Sequence, residues 1–306
     1  MDYMCVAFVS TTDPMEPIPM FRIHLLSLYF LAICSTLAGA ACGGQADGSG
    51  STGGSGSASF TVVSNRPTAG SATGASYSVG VSFTSSPPQC TTTTIGACTV
   101  NPCYRSATPT DPSVPLPSAG EVRFTPAGMM PFVVEPQNDG SYAAESVEGQ
   151  PPWTAGGQQV TFQWAHFPGE AAQAGDDTTL GTPPYVALAK GSAFDTIASS
   201  LSRDRDLTIA WTTDGPPAAT DELVVGVNSA TIEVYCSFGA GAGTGVVPRA
   251  ALGYLDAGPG YYNVHSKQYA RESMTALDGT PWSLSFNVDA TARTSYGLAN
   301  GSVTLR

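Results

Sequence analysis

The sequence predicts an all-β protein, an antiparallel β-sandwich, and three observations carry that prediction. From Phe60 onward apolar and polar residues alternate with period two in run after run, the pattern of strands buried on one face. Turn signals separate the runs, among them "NDG" at 138–140, "DGPP" at 214–217 and "NG" at 300–301. Past an N-terminal apolar run, a helical period is confined to one short stretch. Residues 60–306 therefore read as a β domain long enough to bury a real core. A break near "LAKGSAFDTIASSLSRDRD" would divide it into lobes 60–192 and 193–306.

Taken in order, the chain begins with an acidic, proline-broken stretch, residues 1–19, that suits no signal. Met20 opens "MFRIHLL" and gives a better start, so 1–19 reads as a misassigned extension. Arg22 and His24 then precede "LLSLYFLAICSTLAGAA", an uncharged run ending in small residues. A basic flank, an apolar core and small residues describe a signal peptide over 20–41. The run is shorter than the roughly 20 residues of a membrane-spanning helix.

Two cleavage readings compete. Ala38-Gly39-Ala40 fits ordinary signal peptidase. "GAAC", ending at Cys42, resembles the lipobox of bacterial lipoproteins, although Gly39 stands where that pattern prefers leucine. Cysteine arithmetic favours the lipobox: with Cys5 and Cys34 removed and Cys42 lipidated, Cys90, Cys98, Cys103 and Cys236 remain, an even number. Residues 42–59 are then a lipidated cysteine and a Gly/Ser-rich tether. The resemblance implies a membrane partner reached through the lipid on Cys42. With Gly43 rather than aspartate next, it implies the outer membrane; simple secretion is the alternative.

Strand faces follow from the alternation. "YSVGVSF" aligns Tyr77, Val79, Val81 and Phe83, and "VTFQW" aligns Val160, Phe162 and Trp164. "LTIAW" aligns Leu207, Ile209 and Trp211. "TIEVYCSF" puts Val234 and Cys236 on one face and Glu233 and Tyr235 on the other. "WSLSFNV" and "SVTLR" close the chain. In "VVPRAALGYL", Pro248 suits the first helical position, so one short helix is expected between Pro248 and Leu255. Outside the cytoplasm, disulfides are the expected fate of Cys90, Cys98, Cys103 and Cys236. One bridge is expected within the cluster and one from it to Cys236, joining the two lobes.

From about Cys90 to the C-terminus the sequence resembles a family of uncharacterised secreted bacterial lipoproteins. The shared stretches are "GACTVNPC", "SAGEVRFT", "NDGSY", "GGQQVTFQWA", "LSRDRDLTIAW" and, most distinctive, "VYCSFGAGAGTGVVPRAALGYL". The resemblance implies an extracytoplasmic β domain and brings no activity or site residue.

Composition excludes some functions. With 24 Asp and Glu against 12 Lys and Arg, the net charge is −12, which argues against nucleic acid. No G-x-S-x-G, H-E-x-x-H or G-K-[ST] motif occurs. His166 and His265 are the histidines beyond the signal, and each reads as structural or surface. "GAGAGTG", 239–245, lacks phosphate-loop spacing and reads as a tight connection. Asp176-Asp177, Asp204 with Asp206, and Asp221-Glu222 lie in loops or near strand starts, and "DRD" at 204–206 reads as a solvated strand entry. No catalytic residue, metal ligand or cofactor is expected.

Aromatics are the remaining candidates. Trp164, Trp211 and Trp282 fall on apolar faces and read as core. Trp153, Tyr235, Tyr261 and Tyr262 are the candidate ligand contacts. The expected role is a lipid-anchored, non-enzymatic envelope protein that binds, adheres or scaffolds through an unidentified glycan or protein partner. A carbohydrate-binding module is the alternative, and a secreted hydrolase a more distant one.

Overall fold

A computed structural model describes residues 56–66, 75–85, 90–102, 119–138, 142, 145–148, 151–165, 177–195, 200–275 and 281–306. The upstream extension, the signal, Cys42, Cys103, His166 and Asp176 lie outside the described residues.

The described chain is all-β. Its first half contributes β1 (Gly56–Asn65), β2 (Ser76–Ser85), β3 (Thr93–Ile95), β4 (Cys98–Asn101), β5 (Val122–Pro126), β6 (Phe132–Val134), β7 (Glu145–Glu148), β8 (Gln159–Trp164), β9 (Asp177–Gly181) and β10 (Val186–Leu188). Then come β11 (Ser200–Leu201), β12 (Leu207–Thr213), β13 (Glu222–Asn228), β14 (Glu233–Gly239), β15 (Thr244–Val247) and the single-turn α1 (Arg249–Leu252). The chain ends with β16 (Gly258–Thr275), β17 (Pro281–Thr291), β18 (Arg293–Thr294), β19 (Gly297–Leu298) and β20 (Asn300–Leu305).

One large sheet, in the order β3-β4-β14-β13-β16-β17-β1-β2-β7, forms a layer, with β20 and β11 joined beside the start of β16. Two smaller sheets, β6-β5-β8-β9 and β15-β12-β10-β18-β19, complete the sandwich. Each packs on a different half of the large sheet, so two cores form. In one, Val122, Phe124, Phe162 and Trp164 meet Phe60, Val79 and Phe286. In the other, Leu207, Ile209 and Trp211 meet Val225, Cys236 and Val264. Aromatic stacking centres the first, with Phe286 5.0 Å from Phe60 and 5.4 Å from Trp164. Each such buried ring contributes about 1.5–3 kcal/mol through burial alone.

The cores do not divide the chain at residue 192. Cys98 and Val100 pack with the C-terminal core, and Trp282 to Ala290 pack with the N-terminal one. β17 runs from one to the other, and Ala292, just past its end, lies in the second core. Alternation reads which face of a strand is apolar, and does not read which sheet that face meets.

Two boundaries differ from what the sequence predicts. β1 starts at Gly56, so residues 56–59 belong to the sheet rather than the tether. Its small inward residues, Gly56 and Ala58, hide the period. Glycine is needed at the first, since a Cβ there would lie 2.4 Å from the Trp282 ring. Pro248 stands as N-cap of α1 rather than inside it, and Asp206 Oδ1 accepts the Arg249 N–H at 2.7 Å. Leu252 and Leu255 are buried together as the sequence predicts.

Pairing is mainly antiparallel, with parallel exceptions at β1–β17, β10–β18 and β11–β20. The β14–β15 connection tightens through Gly243 at φ 70°, whose carbonyl accepts the Trp211 backbone N–H. Among the described residues no helix is long and apolar enough to cross a membrane.

Candidate functional site

Burial sorts the four aromatic candidates. Trp153 is 2 % exposed and stacks on Tyr185 at 6.0 Å, so it packs beneath its loop and offers no ligand contact. Tyr262 is also 2 % exposed, because it points inward from β16 and stacks on Phe194. Tyr235 and Tyr261 take the opposite parity and are each 40 % exposed. Both stand on the outward face of the large sheet.

The register fixes their surroundings. One row across that face runs Thr99, Tyr235, Gly226, Asn263 and Asn300, from β4 through β14, β13 and β16 to β20. The next runs Asn101, Glu233, Asn228, Tyr261 and Ser302. The tyrosines are thus two strands apart and one row offset, roughly 12 Å between Cα atoms from sheet spacing and rise. Gly226, between them, is buried beneath the Asn263 side chain. A Cβ there would sit 2.1 Å from Asn263 Oδ1, so the Asn263 side chain lies where that Cβ would be.

Beside Tyr261 the face opens into a recess of about 410 Å³, lined in part by Asn228, Ser229, Gly260 and Ser302. Gly260 permits the close approach of β16 to β13, since a Cβ would meet the Asn228 carbonyl oxygen at 2.6 Å. Asp256 holds the adjoining turn by accepting hydrogen bonds from Ser229 Oγ at 3.1 Å and Thr231 Oγ1 at 2.9 Å. Burial pushes the Glu233 carboxyl up, and a hydrogen bond with the Asn101 side chain offsets part of that rise. Glu233 is the one charged side chain in the two rows.

Farther along the same face lies a row of ionisable groups that alternation alone does not single out. Lys267 stands opposite Glu222 on one side and Asp289 on the other. His265 occupies the neighbouring row, opposite Val224 and Thr291. Burial, aided by the Lys267 charge, pushes the His265 imidazole down to about 4. Burial pushes the Asp289 carboxyl up to about 7, with Lys267 drawing it partly back. The Lys267 ammonium rests over the Tyr269 ring at 5.3 Å, and Asp289 Oδ1 is buried without a hydrogen-bond partner.

Three other carboxylates serve the fold. Asp206 caps α1, and Asp221 accepts from the Ala218 N–H at 2.7 Å and from Gln268 Nε2 at 3.1 Å. Asp195, which no sequence motif marks, is buried and accepts from the Gly191 N–H and from the N–H and Oγ of Ser295. Among the described residues no group of three or more His, Cys, Asp or Glu side chains is placed to hold a metal ion. Cys98 and Cys236 form a disulfide, and Cys90 is disulfide-bonded as well. The Cys98–Cys236 bridge does link the chain's two halves, but it does so inside one core and one sheet.

No family model matches the chain, and no curated protein matches it. A solved structure bearing on host cell surface retention of a 1.5-MDa bacterial ice-binding adhesin aligns over 79 % of this chain and 66 % of its own, at 13 % identity and a TM-score of 0.17. A second, a Ca²⁺-stabilized adhesin that helps an Antarctic bacterium reach out and bind ice, aligns over 77 % and 49 %, again at 13 % identity and 0.17. The chain spans just under two thirds of the first and about half of the second. Alignments at that TM-score carry no argument about this chain's role.

Proposed function

We propose that this chain is a non-catalytic binding protein of the bacterial cell envelope, anchored through a lipid on Cys42 and acting by adhesion or scaffolding. The lipobox-like "GAAC", the Gly/Ser tract behind it and the resemblance to secreted lipoproteins support the anchor, and Gly43 in place of aspartate supports an outer-membrane address. One observation carries the binding role. Tyr235 and Tyr261 are exposed in two rows of the sheet face otherwise made mainly of Asn, Thr, Ser and Gly, whereas Trp153 and Tyr262 are spent on packing. Amphipathic rings kept at a solvated surface are the side chains interfaces favour.

Two experiments test the two halves of this reading. Intact mass of the membrane-extracted protein is expected to give a chain beginning at lipidated Cys42; an unlipidated chain beginning at Ala41 overturns the anchor. Beads coated with the protein are expected to adhere to envelope material from whole cells. A Tyr235→Ala/Tyr261→Ala variant with an unchanged melting temperature should lose that adhesion. Equal adhesion by the variant removes this face from the function. Turnover of ester, peptide or glycoside substrates by the wild-type protein would overturn the non-catalytic assignment.

A further inference from the structure

We infer that the ligand of the Tyr235–Tyr261 face is an uncharged oligosaccharide, lying diagonally across β14, β13 and β16 with one end at the recess beside Tyr261. The inference rests on the reading of this face as the binding surface and adds the chemistry of what binds. Three features of the face select that chemistry.

The first is spacing. Two tyrosines roughly 12 Å apart across an intervening strand cannot clamp one small ring. They suit a chain of rings in which separated units each stack on one aromatic side chain. Gly226 lies between them with no side chain of its own, so the Asn263 amide covers it and faces a ligand that spans the gap.

The second is the polar lining. Asn263 and Asn228 stand between the platforms, and Ser302 edges the recess. A primary amide offers donors and acceptors together. That pairing matches adjacent hydroxyl groups, which likewise donate and accept. A peptide backbone would instead find a strand edge to pair with, and β13, the strand crossing the middle of this face, is already paired on both sides.

The third is charge. Neither row contains Lys or Arg, so an anionic polymer has no counter-charge here, and the chain as a whole carries −12. Glu233 is the one carboxylate, half-buried and hydrogen-bonded by Asn101. It can accept from a sugar hydroxyl, and a carboxylate so engaged makes a weak anchor for a cationic ligand.

The test is a titration of the full chain with defined neutral oligosaccharides, the matching monosaccharides, an anionic glycan and an extended proline-rich peptide. Neutral oligosaccharides of three or more units are expected to bind, with little dependence on salt. Monosaccharides should bind at least ten-fold more weakly. Tyr235→Ala and Tyr261→Ala should each lower affinity about ten-fold or more. Gly226→Ala should do the same while leaving the melting temperature close to wild type, because its Cβ displaces only the end of the Asn263 side chain.

Failure of every neutral glycan, while envelope adhesion still depends on both tyrosines, overturns the sugar and keeps the face. Binding to the peptide or the anionic glycan instead likewise overturns the sugar and keeps the face. Loss of tyrosine dependence in the adhesion experiment removes the face itself, and the oligosaccharide with it.

Discussion

Cys98 and Cys236 face one another across β4 and β14 and are covalently joined, although 138 residues separate them in the chain. Both are fully buried. The bond fixes the short β3–β4 hairpin to the core built by the C-terminal half. Replacing both cysteines with alanine should lower stability by about 2–4 kcal/mol. Denaturant titration measures the loss. In the wild-type protein, a reductant and an alkylating agent applied under native conditions should leave this pair unlabelled until denaturant is added; rapid native labelling would contradict the burial.

Tyr185 is the polar pivot beneath Trp153. Its hydroxyl donates to the Trp153 carbonyl oxygen at 2.8 Å and lies 2.7 Å from Ser64 Oγ. Burial drives its ionisation up to about 12. Tyr185→Phe leaves those buried groups unsatisfied and should cost about 1–3 kcal/mol. Trp153→Ala opens a cavity and should cost about 3–5 kcal/mol. Neither should alter oligosaccharide affinity under conditions where the variant stays folded. A selective loss of binding in folded Trp153→Ala would place the ligand elsewhere.

His265 and Asp289 pull stability in opposite directions across mildly acidic pH. Asp289 carries its proton in the folded chain up to about pH 7 but loses it near pH 4 when unfolded, so its contribution falls as pH rises through that window. His265 stays neutral in the folded chain down to about pH 4, against about 6.5 unfolded, so its contribution rises with pH over much of the same window. Together they flatten the profile. Asp289→Asn should expose the rising limb and gain stability relative to wild type at pH 8. His265→Gln should expose the falling limb. Chemical denaturation of the three proteins between pH 4 and pH 8 reads this directly, and parallel profiles would refute it.

Asp195 has the reverse behaviour. Burial favours its neutral form, but hydrogen bonds from Gly191 and Ser295, with the Lys190 charge, outweigh that and hold the carboxyl below its usual range. Its contribution is present above about pH 4 and is lost as pH falls further. Asp195→Ala should cost about 1–3 kcal/mol at neutral pH. Thermal melts should show the gap between variant and wild type narrowing towards pH 3.

Which faces are buried is legible wherever large side chains alternate, as in β2, β8, β12 and β17. β1 is harder to read because Gly56, Ala58 and the serines beside them look like tether; the indole of Trp282 explains Gly56 only once the strands are paired. Tyr261 and Tyr262 show the same limit at the site. Adjacent in the chain and equal in chemistry, they separate only when the direction of β16 is fixed. Asp195 gives no signal, because its partner Ser295 is 100 residues away. The His265–Lys267–Asp289 row likewise depends on which strands become neighbours.

The strand that receives the N-terminal chain is an interior one. β1 is matched over ten residues to β17 on one side and over ten to β2 on the other. A tension transmitted through the chain ahead of Gly56, along the strand, would therefore pull β1 lengthwise between two neighbours. Both ladders would carry the load at once, and their bonds would have to yield together instead of opening one by one from an end. The order of the sheet thus gives β1 the geometry of a mechanical clamp against a pull from its N-terminal side.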